Sequence, residues 1–183
     1  MNIPTGASIE TKSDKRKEEY AELTYAEYRN RKEKSDILKV SNASGLSEDE
    51  IEKIRFHLFE NKSLKFADGT IGGFEANWKI AWAWQRMERG ECRSEDLILL
   101  KHEYKELTLM MEKHYPYEKA HLMSNFDYPW EYIVNEDESY VDDEGELLHD
   151  RIQASIKDRI NCYIQDYRDE DWYSHFQHEE YVY

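Results

Sequence analysis

The chain has 183 residues, 39% of them hydrophobic and 14% aromatic, with a formal net charge of −15. This size suits one domain with a modest core, and no apolar run approaches the roughly 18 residues that a membrane span needs. The N-terminus lacks the apolar segment of a secretory signal peptide. Cys92 and Cys162 fit no metal or disulfide framework, so we expect a cytoplasmic protein with reduced thiols and no membrane partner.

The charge is distributed unevenly. Residues 1–40 carry 9 basic and 8 acidic groups, residues 41–127 carry 12 and 16, and residues 128–183 carry 4 and 16. The three net charges are therefore +1, −4 and −12. Because an acidic surface repels the phosphates of nucleic acid, we expect nucleic acid only as a substrate of the nearly balanced middle segment.

The first predicted helix covers residues 15–39 and follows a disordered arm over 1–12. Residues 15–39 are rich in Glu, Lys, Arg and Tyr and contain no Gly or Pro, but the apolar stripe is thin. We therefore expect a peripheral helix or an arm that orders on contact.

A second helix is predicted over residues 48–60. Ser47 and Glu50 have the spacing of an N-terminal capping box, and His57 lies on the flank of the apolar stripe. The sequence DGTIGG at 68–73 then predicts a turn or a short hairpin-like excursion.

Three helices are predicted in the middle of the chain, over residues 74–89, 95–114 and 117–125. Gly90 ends the first of them as a C′ residue. Ser94 is the expected N-cap of the second, and Pro116 separates the second from the third.

An acidic linker over 134–146 and an amphipathic helix over about 146–167 complete the pattern, before an acidic, aromatic tail. The helix has its stripe at Leu148, Ile152, Ile156, Ile160, Tyr163 and Tyr167. We expect an all-α fold, a compact bundle of about five helices with a peripheral N-terminal helix and an acidic C-terminal extension. Within this one compact domain, residues 1–44 form the arm and peripheral helix, 45–130 the helical core with the site, and 131–183 the extension.

The helix over 95–114 carries the clearest candidate site. At about 100° per residue, Lys101, Lys105 and Glu112 form a narrow polar stripe. His102 and Glu103 lie outside this stripe and project from largely apolar surfaces. Ionisable groups in apolar surroundings need partners, and they often mark functional sites.

His102 and Glu106 are four residues apart and share a face of this helix. The spacing fits an intrahelical hydrogen bond, an acid/base pair, or two ligands of a helical metal site with the pattern HExxE. A metal site would need further ligands, for which His57 and His121 are the candidates, and such a set suits Zn, Mn or Fe. The cofactor therefore stays open, with a divalent metal as one alternative.

Two further side chains have a structural and a functional interpretation. A helix that turns back after Pro116 would bring His121 to His102, although a lone histidine on a helix is also an ordinary surface or core residue. Arg86 lies on the polar side of its helix, near Trp82. It is either part of a solvated face or an arginine that binds an anion.

The order of four motifs resembles the C-terminal effector domains of bacterial polymorphic toxins, including the LXG type. The motifs are RFHLFEN (55–61), AWAWQR (81–86), LLKHEYKELTLM (99–110) and YEKAH (117–121). The residues that match the family pattern are His57, Trp84, Arg86, His102, Glu103 and His121. The resemblance covers about residues 45–130 and implies a nuclease, or another enzyme that acts on a competitor's cell.

Two function classes follow from these observations. In the first, a toxin-like bacterial or prophage effector domain acts as a nuclease through catalytic His57, His102, Glu103 and His121, and Arg86 binds the substrate. In the second, a non-catalytic immunity, regulatory or nucleic-acid-mimic protein binds a basic partner through residues 128–183, whose Tyr and Trp side chains are ringed by carboxylates.

Overall fold

A computed structural model of the chain describes residues 12–134 and 148–169. In these residues the fold is all-α, as predicted, with eight α-helices, one π-helical turn and a two-stranded sheet. The α-helices are α1 (Lys12–Asn30), α2 (Ser35–Ser44), α3 (Glu48–Arg55), α4 (Trp78–Glu88), α5 (Ser94–Glu112), α6 (Tyr117–Asp127), α7 (Trp130–Ile133) and α8 (His149–Tyr167). The predicted arm, acidic linker and C-terminal tail lie outside the described residues, apart from a few residues at their ends.

The N-terminal segment forms two helices, so the prediction of one helix over 15–39 is wrong. α1 and α2 are separated by residues 31–34, and both contact α4. A continuous helix of 25 residues would be about 37 Å long and would run past the core. The break instead lets α2 pack on α3 and α4, while Tyr25 and Tyr28 of α1 enter the core.

The break also places a carboxylate in the interior. Asp36 of α2 is fully buried and accepts hydrogen bonds from Arg55 Nε (2.7 Å) and Trp84 Nε1 (3.1 Å). Arg55 also donates to the carbonyl oxygen of Tyr28 (2.6 Å) and pairs with Glu60. This network joins α1, α2, the end of α3 and α4.

α3 begins with the predicted capping box. The Ser47 hydroxyl oxygen accepts from the Glu50 N–H (3.3 Å), and the Glu50 carboxylate accepts from the Ser47 N–H (2.9 Å). The predicted α-helix does not continue to residue 60, because Phe56–Glu60 form a π-helical turn. Such turns are often found at functional sites, and this one carries His57.

The hairpin-like excursion is confirmed. β1 (Leu64–Lys65) pairs antiparallel with β2 (Ile71–Gly72), with Leu64 opposite Gly72. Gly69 turns the chain between them with φ of 86°, a conformation that costs glycine little because it has no Cβ.

The starts of α4 and α5 differ slightly from the predicted ones. α4 begins at Trp78 rather than at residue 74, because the Asn77 side chain accepts from two N–H groups of the first turn and caps the helix there. Arg93, and not Ser94, is the N-cap of α5. The Asp96 carboxylate accepts the Arg93 N–H at 2.9 Å, which satisfies one donor at this helix end.

α5 packs against both halves of the molecule, since it contacts α3, α4, α6 and α7. On one side lies the larger apolar core, built from α1 to α5 and the π-helical turn. On the other side α6, α7 and α8 form a second core. The buried members of the predicted α8 stripe are Ile152, Ile156, Ile160 and Tyr163.

None of the helices in the described part of the chain combines the length and the apolar content that a membrane crossing requires. Cys92 and Cys162 are both free thiols.

Candidate functional site

Three elements bring ionisable side chains together in the interior. The π-helical turn supplies His57, α5 supplies His102, Glu103 and Glu106, and α6 supplies His121. We call these five residues the His/Glu cluster. α5 and α6 pack directly against each other, so the ring centroids of His102 and His121 lie 4.9 Å apart. The sequence left open whether the three imidazoles meet, and the structure brings them together.

Glu106 is the common partner of the three imidazoles. Its Oε1 atom lies 2.9 Å from His57 Nε2, and its Oε2 atom lies 2.8 Å from His121 Nδ1. His102 Nε2 lies 3.5 Å from the same Oε2 atom and 3.1 Å from His121 Nδ1. The predicted contact between His102 and Glu106 along the helix therefore exists, but it is part of a larger cluster.

The outward-facing nitrogens of two imidazoles also have partners. The backbone carbonyl of Tyr128 accepts a hydrogen bond from His102 Nδ1 (2.9 Å). On the other ring, His121 Nε2 lies 3.2 Å from a carboxylate oxygen of Glu131, and Glu131 in turn pairs with Arg159 of α8. These contacts orient both rings so that their other nitrogens face Glu106.

Most of the cluster is shielded from solvent. His57, His102, Glu103 and Glu106 are buried, whereas 19% of the His121 side chain is exposed. His57 Nδ1 and Glu103 Oε2 have no hydrogen-bond partner among the described residues. A buried polar atom without a partner costs about 1–3 kcal/mol. Stability alone would favour apolar side chains here, so the cluster is a candidate functional site.

The two carboxyl groups of α5 have opposite pKa shifts. Burial raises the pKa of Glu103 to about 7, and the nearby charge of Glu106 adds to this rise. Burial also acts to raise the pKa of Glu106, but hydrogen bonds from His102, His121 and His57 hold it well below its usual value. Glu106 is therefore the ionised member of the pair.

His121 and Glu131 stabilise each other's charge. Burial acts to lower the pKa of His121, but the carboxylates of Glu106 and Glu131 outweigh it and raise this pKa to about 10. Burial acts to raise the pKa of Glu131, and its contacts with His121 and Arg159 lower it to about 2.

An open cleft of about 770 Å³ between α6 and α8 reaches the cluster at His121. Its walls include Tyr117, Glu118, His121, Leu122, Arg151, Ser155, Asp158, Arg159, Cys162, Tyr163, Asp166 and Tyr167. Residues 148–169 hold four acidic and four basic side chains. The described α8 segment is therefore balanced, and most of the negative charge of residues 128–183 belongs to segments outside the described residues.

Arg86 lies elsewhere. Its guanidinium binds Asp96 through two nitrogens, with Nε 3.0 Å from Oδ2, and both side chains are almost fully buried. Its one described ion-pair partner is this carboxylate. Arg86 is thus neither on a solvated face nor in the His/Glu cluster, and its pairing with Asp96 joins α4 to the first turn of α5. It borders a separate pocket that includes Trp82 and Trp130.

Among the described residues, two overlapping sets of three side chains have the proximity of metal ligands. One set is His102, Glu106 and His121, and the other is His57, Glu103 and Glu106. Within each set the ligand atoms lie within 4.8 Å of one another. Imidazole and carboxylate ligands together suit Zn, Mn or Fe.

Sequence reasoning did not assign the central role to Glu106, and it missed Glu131. The four-residue spacing from His102 pointed to Glu106, but only the packing of three elements makes this carboxylate the common partner. No sequence signal pointed to Glu131, which reaches His121 from α7.

Comparison of the chain with protein-family models, curated proteins and solved structures finds no match. Function is therefore inferred from the geometry of the cluster.

Proposed function

We propose that this chain is a toxin-like bacterial or prophage effector domain that cleaves phosphodiester bonds, with the His/Glu cluster as its centre. The observation that carries the proposal is the convergence of three imidazoles on the buried carboxylate of Glu106, beside an open cleft. The motif resemblance over residues 45–130 includes four of the five cluster residues and agrees with this assignment.

The cleft suits a segment of nucleic acid. Arg151 and Arg159 of α8 border it and supply positive charge, and the rings of Tyr117 and Tyr163 line it. Cationic side chains bind phosphates, and aromatic rings stack on bases. The cleft walls also carry Glu118, Asp158 and Asp166, so a bound phosphate would lie against the arginines and His121, away from these carboxylates.

The side chains of the cluster differ in solvent exposure, and we assign their roles on that basis. His121 is the member that a substrate in the cleft reaches, so it is the residue that we expect to act on the substrate directly. His57, His102, Glu103 and Glu106 lie behind it and act as positioning residues. In the hydrolysis, water would attack phosphorus and the P–O bond to the leaving oxygen would break. Protonated His121 would donate a proton to that oxygen, and a bound metal ion, if one is held by the cluster, would activate the water.

The experiment is a nuclease assay on single-stranded DNA, duplex DNA and structured RNA, with and without EDTA. We expect His121→Ala to lower the cleavage rate by about 100-fold or more, the effect typical of losing an acid/base group. His149→Ala is the matched control, because His149 is exposed at the start of α8. Circular dichroism and thermal melting show whether each variant is folded. Equal cleavage by folded His121→Ala and wild type would refute the proposal.

The alternative, a non-catalytic binding protein, can be tested separately from the enzyme. α8 uses its apolar stripe to complete a core with α6 and α7, so removal of residues 128–183 would also remove core side chains. Charge reversal in the acidic segment 135–147 is the cleaner perturbation. The alternative would be favoured over the enzyme if the charge-reversal variant no longer bound a basic partner protein while His121→Ala bound it as the wild type does.

A further inference from the structure

One triangle within the His/Glu cluster has the dimensions of a metal coordination shell. Its corners are His102 Nε2, His121 Nδ1 and Glu106 Oε2, and its edges are 3.1, 2.8 and 3.5 Å long. Ligand atoms about 2.1 Å from an ion lie about 3.0 Å apart at right angles and about 3.4 Å apart at tetrahedral angles. The three atoms therefore have the separations that a bound ion requires.

The outer contacts prepare both imidazoles to be ligands. Tyr128 offers a carbonyl oxygen, which only accepts hydrogen bonds, so His102 Nδ1 donates its proton there. His102 Nε2 points into the triangle, where a bound ion would take the place of a proton shared with Glu106 or His121. Glu131 and the Asn125 amide both face His121 Nε2. With Nε2–H donated to Glu131, a bound ion would replace the proton that Nδ1 shares with Glu106. Metal-bound histidines generally donate their second N–H to a carbonyl or carboxylate in this way.

The charges also favour a cation. Two carboxyl groups, Glu103 and Glu106, are buried side by side. The described polar contacts of Glu106 are with three imidazoles and not with lysine or arginine. Glu103 Oε2 has no hydrogen-bond partner among the described residues. A divalent ion would offset the negative charge of Glu106 and replace the close approach of the two imidazole nitrogens with bonds to a common centre.

We infer that His102, Glu106 and His121 bind one divalent transition-metal ion, with Glu131 and the Tyr128 carbonyl as outer partners. Two imidazoles and one carboxylate form a ligand set that zinc, manganese and iron accept. This set reaches the open cleft at His121, where an ion can enter, so it is preferred over the fully buried set formed by His57, Glu103 and Glu106. Any catalytic role of the ion rests on the proposed function, whereas its binding does not.

The test measures binding without substrate. The tag-free full-length chain is stripped with EDTA, dialysed and titrated calorimetrically with Zn²⁺ and with Mn²⁺, and elemental analysis gives the number of retained ions. We expect one ion per chain for at least one of the two metals. His121→Ala should weaken binding by at least about 100-fold, and Glu131→Gln by roughly 10- to 100-fold, as for outer partners in general. His149→Ala should bind like wild type.

Glu106→Gln keeps the shape of the central side chain, so it provides a second test if His121→Ala does not fold. Wild-type affinity for the ion in either folded ligand variant would overturn the inference. The inference would also fail if the wild type bound neither Zn²⁺ nor Mn²⁺ more tightly than these variants do. A chain that binds the ion but cleaves no nucleic acid would refute the proposed function alone. Cleavage at full rate in EDTA, by a chain that binds neither Zn²⁺ nor Mn²⁺ in the titration, would refute the metal site alone.

Discussion

Asp36→Ala tests how strongly the buried polar network holds the site-bearing π-helical turn. Asp36 and Arg55 are both fully buried, and Arg55 is the residue immediately before that turn. Removing one partner of a buried ion pair costs about 3–5 kcal/mol. Arg55 keeps its contacts with Glu60 and the Tyr28 carbonyl, which reduces this cost. The loss of the acceptor for the Trp84 N–H adds about 1–3 kcal/mol.

We therefore expect Asp36→Ala to lower the free energy of unfolding by about 4 kcal/mol, a large part of the roughly 5–15 kcal/mol typical of a domain. Urea unfolding followed by circular dichroism measures it. Asp36→Asn removes the charge but retains an acceptor oxygen, so it should lower the free energy of unfolding by less than Asp36→Ala does. Glu91→Ala is the matched control, because Glu91 and its partner Arg89 are exposed and such pairs contribute about 0–1 kcal/mol. A loss below about 1 kcal/mol in Asp36→Ala would show that the network does not stabilise the fold.

Three further changes test other parts of the fold. Ile156→Ala should lower the free energy of unfolding in urea by about 2–5 kcal/mol, because this fully buried side chain joins α8 to the second core. A negligible decrease would mean that α8 does not pack there. Ser47→Ala should cost about 1 kcal/mol through loss of the α3 cap, and an unchanged melting temperature would contradict this. Burial acts to raise the pKa of Glu88, but hydrogen bonds from Tyr28 and Arg31 lower it below 4.5. Its ionised form therefore stabilises the fold above about pH 4.5, and this contribution is lost as the pH falls through the lowered folded-state pKa. The stability difference between wild type and Glu88→Gln should shrink on acidification below pH 4.5, whereas a constant difference would refute the ionisation argument.

Local sequence signals predicted several elements well. The capping box at Ser47 and Glu50 and the apolar stripe of α8 both depend on residues within a few helical turns of one another. The same periodicity identified His102 and Glu103 as ionisable residues on apolar faces, and both are buried. These features are visible in sequence because a helix fixes the relative directions of side chains three and four residues apart.

Other features depend on packing between distant segments. The break between α1 and α2 allows Asp36 to meet Arg55 and Trp84, and no short-range pattern around residues 31–34 predicted it. Arg86 is paired with Asp96 instead of facing solvent or an anion, because α4 and α5 pack at this point.

The sequence by itself determined an all-α chain with His57, His102, Glu103 and His121 as its notable ionisable residues. Only the tertiary structure decided that three of them, the histidines, share Glu106 as a partner. A helical wheel gives the direction of each side chain but not the distance between helices. Contacts of 2.8–3.1 Å between the π-helical turn, α5 and α6 exist only after the two apolar cores have placed these elements against one another.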